Sequence, residues 1–212
     1  MIKASAGNQK GFTLVELMMT GALLSLLSLS LYAVLNMANV IFHTNDVYSR
    51  LNTSAMQTLR SISKEIGETS PNTTPSRLNI STSGGNSTVR FQVPVDWDND
   101  GDATSGTTNP AIEWGAYSLI NEGENGTLNG WIRYSVSNNQ LVRDVLDASL
   151  VQVAGSSKII ANNVQSFTVT KNSSKVTMTL TLQATDIYGQ RGASRNVTAT
   201  LSSATLLRNA VN

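Results

Sequence analysis

The chain has 212 residues, of which 40% are hydrophobic and 14% charged, with a formal net charge of +1. That balance gives no global electrostatic case for binding nucleic acid or an acidic substrate. With no cysteine and one histidine, a disulfide scaffold is excluded and a zinc site is disfavoured, so the fold must rest on its own core.

The first residues form a short polar leader with Lys3 and Lys10, ending at Gly11. It is followed by Phe12-Thr13-Leu14-Val15-Glu16 and then by a run from Leu17 to Ala38 without a charged side chain. About 20 such residues, at a rise of 1.5 Å each, cross the roughly 30 Å of membrane hydrocarbon. A secretory signal would have a shorter apolar core followed by a small-residue cleavage site, whereas the only plausible processing site here precedes the apolar run, at Gly11. Positive charge before the helix, with none after it until Arg50, orients the N-terminus to the cytoplasm and the remainder outside. Glu16 lies just inside the apolar stretch. A carboxylate near the bilayer centre costs about 2.5–3.5 kcal/mol on insertion scales, so it needs a partner.

Gly11-Phe12-Thr13-Leu14-Val15-Glu16 resembles the processing site of the type IV pilin and type II secretion pseudopilin superfamily. The resemblance implies cleavage between Gly11 and Phe12 by a prepilin peptidase and N-methylation of Phe12. It also implies that Glu16 sets the register of a new subunit in a filament, with the freed Phe12 amine of the same chain or a neighbour as its partner. The cysteine-closed loop of many major pilins has no counterpart here. Nor does their mid-helix proline, since this chain has Ala33 in that neighbourhood.

Beyond the apolar run, Val47, Leu51, Ala55, Leu59, Ile62 and Ile66 recur every three or four residues and share one helical face. The first proline after Phe12 is Pro71, which puts the helix stop between Gly67 and Pro71. The expected helix is about 55 residues, or roughly 80 Å long. Gly21, Ser25, Ser28 and Ser30 either favour close helix approach or are merely tolerated in a membrane helix. Residues 71–88 read as a loop with a short strand near Leu78–Ile80. Strands are expected at 89–95, 112–119, 131–136, 140–145, 164–171, 176–184 and 196–201, with hairpin connections at Asn138-Asn139 and Asn172-Ser173-Ser174. The expected fold is α+β: a long N-terminal helix, transmembrane in its inner half and amphipathic in its outer half, packed on an antiparallel β-sheet head. Its divisions are a leader (1–11), a transmembrane or filament-core helix (12–40), an amphipathic helix (41–70) and a β-rich head (71–212).

Within the head, Trp131-Ile132-Arg133-Tyr134, Gln140-Leu141-Val142-Arg143, Ile160 to Phe167 and Leu206 to Asn209 look like the PilW-like minor pilins and the J-type minor pseudopilin. This implies a minor pilin that primes assembly or caps the tip, or a minor pseudopilin of a type II secretion system. Implied partners are other pilins or pseudopilins, the prepilin peptidase and an inner-membrane assembly platform. The implied location is a single pass through the inner membrane, then the pilus.

Asp96, Asp98, Asp100 and Asp102 alternate before and around Gly101, a pattern that can wrap oxygen ligands around calcium, with Glu113 completing the shell if the segment folds back. A solvated acidic turn is the alternative. The loop departs from an EF-hand, whose twelfth position would be an acid where Thr107 stands. It also motivates a third reading, a calcium-dependent adhesin carried on a pilin stem. Trp97, Trp114 and Trp131 are expected to anchor the core, His43 to be a polar surface residue. No catalytic constellation is present, so no enzyme activity is expected.

Overall fold

A computed structural model describes residues 11–70, 76–96, 103–105, 111–117, 127–186 and 195–208. One helix, α1 (Leu14–Gly67), opens the chain. Thirteen strands follow among the described residues: β1 (Leu78–Ser83), β2 (Asn86–Phe91), β3 (Val93–Pro94), β4 (Thr104–Ser105), β5 (Ala111–Ile112), β6 (Trp114–Ala116), β7 (Thr127–Leu128), β8 (Trp131–Ser137), β9 (Gln140–Leu146), β10 (Lys158–Ala161), β11 (Val164–Asn172), β12 (Lys175–Asp186) and β13 (Arg195–Leu206). A long N-terminal helix with antiparallel sheets packed on it makes the chain α+β, as its sequence indicated. By compactness the chain divides into two units, Met1–Asn45 and Asp46–Asn212.

In the second unit, Leu51, Ala55, Leu59, Ile62 and Ile66 of α1 are all buried. Each such leucine or isoleucine contributes about 1.5–3 kcal/mol when withdrawn from water. This stripe, rather than intrinsic helix propensity, holds the outer helix to the head. The helix ends where Glu68 and Thr69 donate their amides to the carbonyls of Glu65 and Ile66 at 3.1 Å. Gly67 gives its carbonyl to the Arg208 amide at 3.0 Å. A Cβ on Gly67 would meet Thr205 Oγ1 at 3.2 Å, so the close approach of α1 to the chain end favours glycine there.

Two main sheets share the core instead of the single sheet expected. One has the order β1-β2-β8-β9-β10, the other β11-β12-β13, and two small sheets, β3-β6-β7 and β4-β5, complete the pairing. The division has a local cause: the edge of β11 is met by side chains, not by another strand. Phe167 N donates to Asn86 Oδ1 at 3.0 Å and Val169 N to Ser87 Oγ at 2.9 Å. Phe91, Tyr134, Ile132, Leu141, Phe167, Met178, Leu180 and Leu182 are fully buried in the shared core, with the Phe91 and Tyr134 rings stacked at 6.1 Å.

Residues 78–88 hold the short strand expected near Leu78–Ile80 and correct the loop reading around it. They form β1 and β2, joined by Gly84-Gly85, whose φ angles of 57° and 81° suit the two-residue turn that matches strand twist. The polar composition misled because Ser87, Val89 and Phe91 alternate inward, and Ser87 is buried by its bond to β11. Strand β10 was also missed, while β13 runs five residues beyond its expected end at Leu201. The Asn138-Asn139 connection is a hairpin turn with φ of 50° and 58°, a conformation asparagine tolerates. Of the three tryptophans, Trp114 is buried under the Arg77 guanidinium, Trp131 is half-buried and Trp97 lies outside the described residues.

Candidate functional site

The start of α1 is built as a reciprocal cap. Glu16 N donates to Thr13 Oγ1 at 3.2 Å, while Glu16 Oε2 accepts from both Thr13 N and Thr13 Oγ1 at 3.0 Å. A Thr-x-x-Glu sequence makes this arrangement because the first turn of a helix leaves its amides without internal partners. Thr13 reads in the sequence as part of the processing motif, and its spacing to Glu16 is also the capping signature. The amide that holds Glu16 belongs to the Phe12–Thr13 peptide, so cutting the Gly11–Phe12 bond leaves the cap intact. It would also deliver a free amine on Phe12, one residue before the amide that holds the carboxylate. Gly11 is exposed, and nothing lies within 4 Å of a Cβ built on it.

After the cap, Leu14, Leu17, Met18, Leu23, Leu24, Leu27, Leu31, Leu35 and Met37 are all more than half exposed. The most apolar window of the helix has a mean hydropathy of 1.9 and no buried residue. Within it, Ser25, Ser28 and Ser30 return their hydroxyls to carbonyls of the preceding turn at 2.7–2.8 Å, which satisfies them without water. Such a surface fits single-pass membrane anchoring.

Residues 7–32 match the family model of the prokaryotic N-terminal methylation motif. No curated protein and no solved structure matches the chain. The methylation motif, set on this apolar helix, supports a pilin- or pseudopilin-type protein that is processed by a prepilin peptidase and assembles with other pilins.

The acidic loop is framed by backbone pairing. Val95 N donates to the Glu113 carbonyl at 2.8 Å, and Glu113 N to the Ala103 carbonyl at 2.9 Å. Residues 95 and 103 are therefore both paired to the backbone of residue 113. Asp96 is half-buried and Glu113 buried. Asp98, Asp100 and Asp102 lie outside the described residues. Among the described residues no group of three His, Cys, Asp or Glu side chains is placed to hold a metal.

One buried cluster escaped the sequence analysis. Glu65, on the buried face of α1, receives Arg143 Nε at 3.2 Å on both carboxylate oxygens and the Tyr134 hydroxyl at 2.7 Å. Arg143 also donates from Nη2 to the Tyr117 carbonyl at 3.1 Å. Burial, followed by the neighbouring Glu65 carboxylate, pushes the Tyr134 phenol well above its ordinary range, so it stays a donor. All three side chains of the cluster are buried. The cluster joins helix to sheet through directional bonds, where the surrounding apolar contacts would tolerate sliding. Its sequence signal was slight: an acid at position 65, between the apolar positions 62 and 66 of the stripe.

Proposed function

We propose that this chain is a minor type IV pilin of the PilW-like kind, inserted in the inner membrane with its head outside, cut between Gly11 and Phe12, and built into a pilus to prime assembly or cap the tip. The observation that carries the reading is the methylation motif on an exposed apolar helix whose first turn presents Glu16 beside the future terminus. Three steps follow physically. Cleavage creates a cation near Glu16, the apolar faces of residues 12–40 bury one another in the filament, and the head selects neighbours. The absence of a disulfide-closed loop, in a chain without cysteine, favours a minor over a major subunit.

The test is co-expression with a prepilin peptidase and mass spectrometry of the product. The wild-type chain should begin at N-methylated Phe12, while Gly11→Ala should retain the leader. Because a methyl group on residue 11 meets nothing, the variant separates processing from folding. A wild-type chain that keeps its first eleven residues would overturn the proposal. A deletion strain that loses piliation and twitching, with protein export intact, supports the pilus over a J-type minor pseudopilin in type II secretion; the opposite phenotype reverses that choice.

A calcium-binding role for the acidic loop is a second proposal. It is supported by the pairing that brings both loop ends to Glu113, and would use Asp96, Asp98, Asp100, Asp102 and Glu113 as oxygen ligands.

A further inference from the structure

Two of the outer edges of the main sheets are protected, those of β10 and β11. Strand β10 is only four residues long, begins with Lys158 and is interrupted by a bulge between Ile159 and Ala161. The β11 edge is capped by Asn86 and Ser87. Strand β13 is different. It pairs with β12 through twelve consecutive positions without a bulge, contains no proline, and carries no charge from Asn196 to Leu206. Among the described residues no strand pairs with its other side. Short length, lysine, proline and bulges are the usual devices that keep an edge from recruiting another chain, and β13 has none in this stretch.

The register says which groups are free. Leu207 N donates to the Ser174 carbonyl at 2.8 Å, so the alternation of an antiparallel ladder commits Thr205, Ser203, Leu201 and Ala199 to β12. Thr198, Thr200, Ser202 and Ala204 then turn their amides and carbonyls outward. Leu206 continues that outward series, and Arg208 after it uses its amide on Gly67 of the helix end. Beside the strand runs a groove of about 300 Å³ lined by Met56, Leu59, Arg60 and Ser63 of α1 and by Leu201, Ser202 and Ser203. Met56 is 56% exposed, and Ser63 and Ser203 bond across the groove floor at 3.1 Å. Arg60 is exposed, and among the described residues no acid pairs with it.

We propose that β13 and the adjoining face of α1 form a docking groove for an extended segment of a partner protein, added as a further strand and carrying an acidic residue opposite Arg60. Alternate side chains of such a segment point toward α1, where Met56, Leu59 and Leu201 accept an apolar residue and Arg60 accepts a carboxylate. Main-chain bonds supply affinity, and the apolar and basic residues of the groove supply selection.

The test uses the full, unprocessed chain in detergent micelles, so it stands apart from cleavage at Gly11. Its probes are two short peptides that alternate valine and threonine and differ only in glutamate or lysine at the central inward position. In the free protein the Thr200 and Ser202 amides should exchange rapidly with deuterium, and the glutamate peptide should slow them. That peptide should bind about fivefold more tightly than the lysine peptide, the range of an exposed ion pair, and Arg60→Glu should invert the order. Ser202→Pro removes an outward amide while leaving the β12 ladder its bonds, and should abolish binding. As a control on wild-type protein, a peptide N-methylated at its bonding amides should not bind. Equal binding of the methylated peptide, or no preference between glutamate and lysine, overturns the proposal. So does protection of the outward amides in the free chain, whether at all concentrations or growing with a dimer, which would assign the edge to a second copy.

Discussion

Removing the Arg143 guanidinium tests whether a buried ion pair fixes the helix on the sheet. Arg143 is fully buried and Glu65 is 5% exposed, so Arg143→Met leaves a carboxylate in the core with the Tyr134 hydroxyl as the remaining donor described for it. Breaking one side of such a pair costs about 3–5 kcal/mol. For a unit the size of Asp46–Asn212, each kcal/mol moves the melting temperature by about 2–4 °C, so the variant should melt roughly 6–20 °C lower. Near-ultraviolet circular dichroism of the full chain in micelles reads the transition, since Tyr134 and Trp114 are buried in the head. The double variant Glu65→Leu/Arg143→Met removes both charges and leaves the Tyr134 hydroxyl as the chief unmade bond, about 1–3 kcal/mol. It should therefore melt above Arg143→Met. A single-variant loss under about 1 kcal/mol, or a double-variant loss equal to the sum of the two singles, would refute the reasoning.

Glu68 is half-buried, and desolvation raises its pKa against the opposing pull of Arg208 and Lys64. Folding thus favours its protonated form below the unfolded pKa of about 4.5, and that contribution is lost as pH rises through the folded value. Glu68→Gln should raise the melting temperature at pH 7, with the gap closing below pH of about 4; an equal gap at both would contradict the assignment. At the helix start, Glu16→Gln preserves a capping side chain while removing the charge, whereas Glu16→Ala removes both. If the charge meets the freed amine, both variants insert in the membrane and both are depleted from filaments by immunoblot; normal incorporation of the Gln variant would reduce Glu16 to a cap. For the acidic loop, calcium should raise the melting temperature of the wild type, by the equivalent of about 2.7 kcal/mol at 100-fold excess over the dissociation constant. It should do nothing for Asp98→Ala/Asp100→Ala, and equal shifts in both proteins would remove the metal.

The processing motif, the apolar run and the amphipathic stripe from Leu51 to Ile66 could be read from the chain alone. Each is a local pattern: a few adjacent residues make the motif, and a period of three to four makes the stripe. Strand β12 was equally legible, because Val176, Met178, Leu180 and Leu182 alternate with threonines on a sheet that has one buried face. The start of β1 was legible at Leu78–Ile80, but its extension to Ser83, the first half of β2 and all of β10 were not, because their pairing comes from neighbours rather than from their own propensity. The division into two main sheets, the Glu65–Arg143–Tyr134 cluster and the open edge of β13 depend on residues far apart in the chain. No pattern within a helix turn or a strand encodes a bond between residues 65 and 143. Only the tertiary structure decides which polar side chains are withdrawn from water together, and which row of backbone amides is left facing outward.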